Sequence, residues 1–200
     1  MSAIRVLLKE NVTRGDVEYM AIDYDWQLYT KQNQTESQGA YTVWTQGEGD
    51  EQFVIIFTED GLAELRYIAV EGPNAEKVID QIRASIDVYT RDELLRGVAD
   101  SQDVARKIAA LRKLGASLVG AYDAEGFAVL SAALTNSEPR VRLAAIAAIG
   151  FPAWPQFIEP LTKVQENDDD VRVLRRAARL MGLLQKPTEP NGAGFGTVIE

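Results

Sequence analysis

The sequence holds 200 residues with a formal charge of −9, a hydrophobic fraction of 46% and a charged fraction of 26%, and it contains neither cysteine nor histidine. That composition suits one large or two small globular domains. Without cysteine and histidine these residues form no disulfide framework, zinc site, Ser-His-Asp triad or Cys-His pair, and no cofactor is expected.

The charge is uneven. Residues 1–90 carry 7 basic and 16 acidic side chains, whereas residues 91–186 carry 14 and 12. Two domains, 1–90 and 91–186, are expected, followed by a flexible tail over 187–200. An acidic first domain repels nucleic acid and favours basic partners. The apolar run at the N-terminus, Ile4 with Val6 to Leu8, is too short for a secretion signal. No stretch approaches the roughly 20 apolar residues of a membrane span. A soluble, cytoplasmic protein is expected.

The first domain reads mostly in period two. Ile4, Val6 and Leu8 alternate with Arg5, Leu7 and Lys9 as a first strand, and Asn11 to Asp16 reads as a turn. Met20, Ile22, Tyr24, Trp26 and Leu28 fall on one face of a second strand, with Asp23, Asp25 and Gln27 opposite. A polar connection over 32–38 leads to strands at 40–46, 52–58 and 63–70, with a hairpin signal at Asp60-Gly61. Gly72-Pro73-Asn74 ends the sheet, and Asn74 is placed to cap a helix. From Ala75 the period becomes 3.6, with Ala75, Val78, Ile79, Ile82, Ile86 and Tyr89 on one face. The expectation is an α+β unit, an antiparallel sheet plus one covering helix.

Beyond Thr90 every segment reads as helix: 92–99, 102–114, 127–134, 140–149, 157–165 and 171–184. Gly115, Gly150 and Gly182 stand at or near helix ends, where glycine is the usual left-handed cap. Similar segments recur around these glycines at spacings of 35 and 32 residues. The middle copy runs Leu130-Ser-Ala-Ala-Leu134, Asn136-Ser-Glu-Pro139, then Val141-Arg142 and spaced alanines to Ile149-Gly150. The last offers Asn167-Asp-Asp-Asp170, Val171-Arg172, Ala177-Ala178 and Met181-Gly182, with an apparent two-residue insertion near Asp170. The first has Asp103-Val104, Ala109-Ala110-Leu111 and Leu114-Gly115 but lacks the Val-Arg pair.

This pattern resembles the HEAT-like repeats of the phycobilisome-lyase type over residues 92–184. The resemblance implies an all-α repeat domain of about three helix pairs, an α-α superhelix whose second helices line a concave binding surface. It also implies a scaffold that holds another protein; some relatives assist chromophore-attaching enzymes, and some HEAT-like proteins are DNA glycosylases. Alanines at helical spacing agree, because they let neighbouring helices approach closely.

Four arginines, Arg172, Arg175, Arg176 and Arg179, fall at i, i+3, i+4 and i+7 and form one stripe along the last helix. Arg142, with Arg106 and Lys113, would extend it across equivalent helices. Such a strip suits carboxylate or phosphate, which guanidinium binds in bidentate fashion. It equally suits a solvated face paired with Glu166, Asp168, Asp169 and Asp170, with Arg142 and Arg172 ordering the repeat junctions. Trp154, between Phe151 and Phe157 among prolines, is either a binding edge or a plug between repeats. Asp23 and Asp25 are a carboxylate pair with no third catalytic group, and Gly192-Ala-Gly-Phe-Gly196 follows no strand and opens no helix.

The reading is therefore a non-catalytic scaffold or adaptor that binds another protein through the repeat domain, the acidic sheet domain or both. The alternatives are a lyase-like or chaperone-like accessory to a chromophore-bearing protein, nucleic-acid binding through the arginine stripe, and an immunity-type inhibitor of a basic toxin. Partner identity and oligomeric state stay open.

Overall fold

The structure, a computed structural model, describes residues 3–33, 39–61, 64–73 and 75–185. They form two compact units that part between Tyr89 and Thr90. The proposed cap Asn74, most of the polar connection at 34–38 and the tail over 187–200 fall outside the described residues.

The first unit comprises β1 (Ile4–Leu7), α1 (Arg14–Asp23), β2 (Gln27–Gln32), β3 (Ala40–Gln46), β4 (Phe53–Asp60), β5 (Leu65–Glu71) and α2 (Ala75–Ser85). Its five strands make an antiparallel sheet in the order β1-β5-β4-β3-β2. Both helices lie on one face. Val17, Met20 and Ala21 of α1 and Val78, Ile79 and Ile82 of α2 close over Trp44, Ile55, Phe57, Ile68 and Val70. On the opposite face Val43, Ile56 and Ala69 are also buried.

The strand expected through Met20, Ile22, Tyr24, Trp26 and Leu28 does not form. Thr13 and Asp16 make a capping box in which the Thr13 hydroxyl accepts from the Asp16 amide, and the Asp16 carboxylate accepts from the Thr13 amide at 2.7 Å. That box nucleates α1, which buries Val17, Met20 and Ala21 at helical spacing and leaves Tyr19 and Ile22 exposed. The covering layer therefore has two helices where one was expected. Asp23 closes α1, and Asp25 sits in the following turn at φ 54°, so they do not share a strand face.

The second unit is a run of helix pairs: α3 (Arg91–Asp100) with α4 (Val104–Ser117), α5 (Ala124–Ala133) with α6 (Pro139–Ile149), and α7 (Ile158–Asn167) with α8 (Val171–Leu184). The second helices α4, α6 and α8 touch in succession. The middle one, α6, is the most enclosed, burying Val141, Arg142, Ala144, Ala145, Ile146, Ala148 and Ile149. No helix among the described residues is long and apolar enough to cross a membrane.

The three glycines are not left-handed caps. Gly115 and Gly182 lie inside α4 and α8, and Gly150 follows α6 in right-handed helical geometry at φ −63°. Gly115 serves close packing instead: a Cβ there would lie 2.5 Å from the Ala148 carbonyl oxygen and 2.7 Å from Ala148 Cα. The repeat register also differs from the apparent one. The helix caps Asp103, Glu138 and Asp170 are spaced like the glycines, by 35 and 32 residues, so no insertion separates the last two copies. Val173, fully buried like Val141, holds the equivalent position in α8, and Val171-Arg172 stands two residues earlier.

Gly115→Ala should therefore push α4 from α6 and cost about 1–3 kcal/mol as an overpacked contact. Among the described residues nothing lies within 4 Å of a Cβ built on Gly182. Gly182→Ala should be neutral or stabilising by up to about 1 kcal/mol through helix propensity. Urea denaturation of the two variants checks the contrast; equal effects would contradict the assignment of Gly115 to helix packing.

Candidate partner-binding groove

The turn between α7 and α8 carries the acids Asp168, Asp169 and Asp170, and their partners decide what the arginines can do. Asp170 is the N-cap of α8: its carboxylate accepts from the Arg172 amide at 2.8 Å and from the Arg172 guanidinium at 2.7 and 3.1 Å. The guanidinium holds the Asp170 carboxyl well below the usual range. Arg172 is thus engaged locally, although 68% of its side chain is exposed.

Arg142 is placed differently. Its side chain is 10% exposed, and Nε and Nη2 both donate to Asp168 at 2.7 Å, with Asp169 at 3.4 Å. Nη1 donates to the carbonyls of Asn136 and Ser137 at 2.9 and 3.2 Å. One guanidinium joins the α5–α6 turn, α6 and the α7–α8 turn. The Asp168 carboxyl is held below its ordinary pKa by hydrogen bonding to Arg142.

Arg175, Arg176 and Arg179 have no hydrogen-bond or ion-pair partner among the described residues. All three are exposed. They line a groove of about 600 Å³ between α6 and α8, whose remaining lining includes Ile146, Ala147, Gly150, Leu180 and Leu183. Arg142, Arg106 and Lys113 do not line it, so the expected strip narrows to α8. Ala147 and Gly150 keep the α6 side shallow, and Leu183, 58% exposed, adds an apolar edge.

Trp154 lies elsewhere, at 5% exposure. Its Nε1 donates to the Gly120 carbonyl at 3.1 Å, its ring stacks on Phe157 at 5.9 Å, and Tyr122 meets it edge-on at 5.1 Å. Phe127 of α5 meets Phe157 at 4.8 Å, so these rings fill the space between consecutive helix pairs.

One tie has no counterpart in the sequence reading. Arg91, at the start of α3, donates to both Asp123 oxygens at 2.8 Å and pairs with Glu125 at 2.8 Å. Asp123 also caps α5, and the Arg91 hydrogen bonds depress its pKa to about 2. The signal in the sequence is an Asp at a helix start after a Gly-containing stretch, which the reading of this helix from Phe127 passes over.

Chemically the groove offers guanidinium charge beside aliphatic surface, which binds carboxylate or phosphate. The resolved carboxylate shifts all run downward, away from the near-neutral pKa that proton transfer requires. Among the described residues no three acids gather to hold a metal ion.

Residues 91–182 match the family profile of HEAT repeats, so this part of the chain is a HEAT-like repeat segment; the N-terminal part matches no family. No curated protein and no solved structure matches the chain. HEAT repeats generally mediate protein–protein interaction.

Arg142→Ala would leave the nearly buried Asp168 carboxylate uncompensated, and a loss of about 3–5 kcal/mol is expected in urea unfolding. The acid limb follows from the signs. Asp123 and Asp168 bind protons more weakly folded than unfolded, so their stabilisation is present above the ordinary carboxylate range near 4. It fades as pH falls toward about 2, the folded-state value of Asp123. The unfolding midpoint should drop over that window, and Asp123→Asn should flatten the drop; an unchanged slope would refute the link.

Proposed function

We propose that the protein is a non-catalytic interaction scaffold whose HEAT-like segment holds a protein partner in the groove between α6 and α8. The observation that carries this reading is the presence of three exposed arginines, Arg175, Arg176 and Arg179, without partners among the described residues, lining a groove that also has aliphatic surface. Like charges one helical turn apart destabilise a helix by about 0.2–0.5 kcal/mol per pair, a cost that an opposite charge on a partner removes. Arg142 and Trp154 support the surface from within, by fixing the turn before α8 and the space between repeats. The lack of cysteine suits a reducing compartment, and we place the protein in the cytoplasm.

Nucleic-acid binding is the weaker reading of the same arginines. The chain has a net charge of −9, which repels a polyanion beyond the local patch.

The test is site-specific photo-crosslinking in cells of the source organism. A crosslinker at Ala147 or Arg176 should give a discrete protein adduct, and one at Glu159 on α7 should not. Adducts from Glu159 alone, or nucleic acid at Arg176, would overturn the assignment.

A further inference from the structure

The occupant of the groove is constrained by its charge and by its spacing. Arg172, Arg176, Arg179 and Leu183 follow one another at i, i+4, i+7 and i+11 along one side of α8, all lining the groove. Residues so spaced recur about every 5.4 Å, the helical pitch. Another helix laid alongside repeats its own face at the same interval. An extended strand repeats at about 6.6–6.8 Å and drifts out of step along such a row. Ala147 and Gly150 on the α6 side offer little bulk to hold a helix away. Leu183, 58% exposed, gives an aliphatic contact, which a phosphate backbone does not use.

A second copy meeting the groove through its own α8 would set arginines against arginines, which is repulsive. Negative charge on a partner resolves both this and the unpaired cations.

Resting on the groove reading above, we infer that the occupant is an acidic amphipathic helix of another protein. Its carboxylates at i, i+4 and i+7 lie against the α8 arginines, and an aliphatic residue one turn further seats against Leu183. Arg176 and Arg179 carry the contact, because Arg172 is shared with Asp170.

The experiment titrates the full chain with three probes by fluorescence anisotropy. The first is a blocked alanine-rich helical peptide bearing glutamates at i, i+4 and i+7 and leucine at i+11. The second is its permuted isomer, with the same glutamates spread round the helix. The third is a single-stranded oligothymidylate. The matched peptide should bind at least about tenfold tighter than the permuted one, corresponding to about 1.4 kcal/mol. Raised salt should weaken it, and Arg176→Glu with Arg179→Glu should abolish the preference. Arg176→Gln with Arg179→Gln, checked for unchanged helicity, should lose most of it too.

Equal binding of the two peptides, no binding up to about 1 mM, or oligothymidylate binding as tightly as the matched peptide would each overturn the inference. Salt-sensitive self-association in sedimentation would do so as well, by making the occupant another copy. If the Ala147 crosslinker still captures a protein while the matched peptide fails, the groove reading stands and only the acidic helix falls.

Discussion

The approach of α4 to α6 at Gly115 and Ala148 is the constraint from which the rest of the repeat segment follows. A Cβ at Gly115 would overlap the Ala148 backbone, so only glycine lets the two helices meet this closely. That contact makes α6 a central helix with seven buried residues, and it sets Arg142 where it reaches the turns on both sides. The position of α8 then depends on Arg142 gripping Asp168. A buried ion pair of this kind adds less to stability than it costs to break, so it acts mainly to fix one arrangement.

The same grip explains why the surface of α8 is so basic. Asp168 is taken by Arg142 and Asp170 by Arg172, and Asp169 faces Arg142 as well. The acids of the turn are therefore engaged at the helix start. One turn further along, Arg175, Arg176 and Arg179 have nothing of opposite sign to meet among the described residues. One turn thus does two things: Asp168, turned inward, holds the repeats together, and Asp170 caps α8, whose arginines downstream stay exposed. Like Arg142, Trp154 works on the inner side of that division.

Much of this architecture is legible in the residues. The change from period two to period 3.6 after Ala75 marks α2, and α6 and α8 stand out through spaced alanines between a turn and a glycine. α1 is less legible because Met20, Tyr24 and Leu28 satisfy both periods, so a local capping box at Thr13 and Asp16 decides the outcome. The glycines at 115, 150 and 182 were readable as repeat marks but not as to purpose, since a close helix contact and a helix cap call for the same residue. The Val-Arg pairs misalign by two residues because the match follows residue type, whereas burial of Val141 and Val173 follows the helix register. The arginine stripe itself was visible in the spacing. Which of its members are already engaged depends on the turn acids, and that requires three dimensions.

The claim that α6 and α8 together receive the partner is tested most directly by hydrogen–deuterium exchange of the chain with and without its captured partner. Slowed exchange in α8 and the C-terminal half of α6, with α5 and α7 unchanged, is the predicted footprint. Protection confined to α5 and α7, or to the sheet of the first unit, would contradict it.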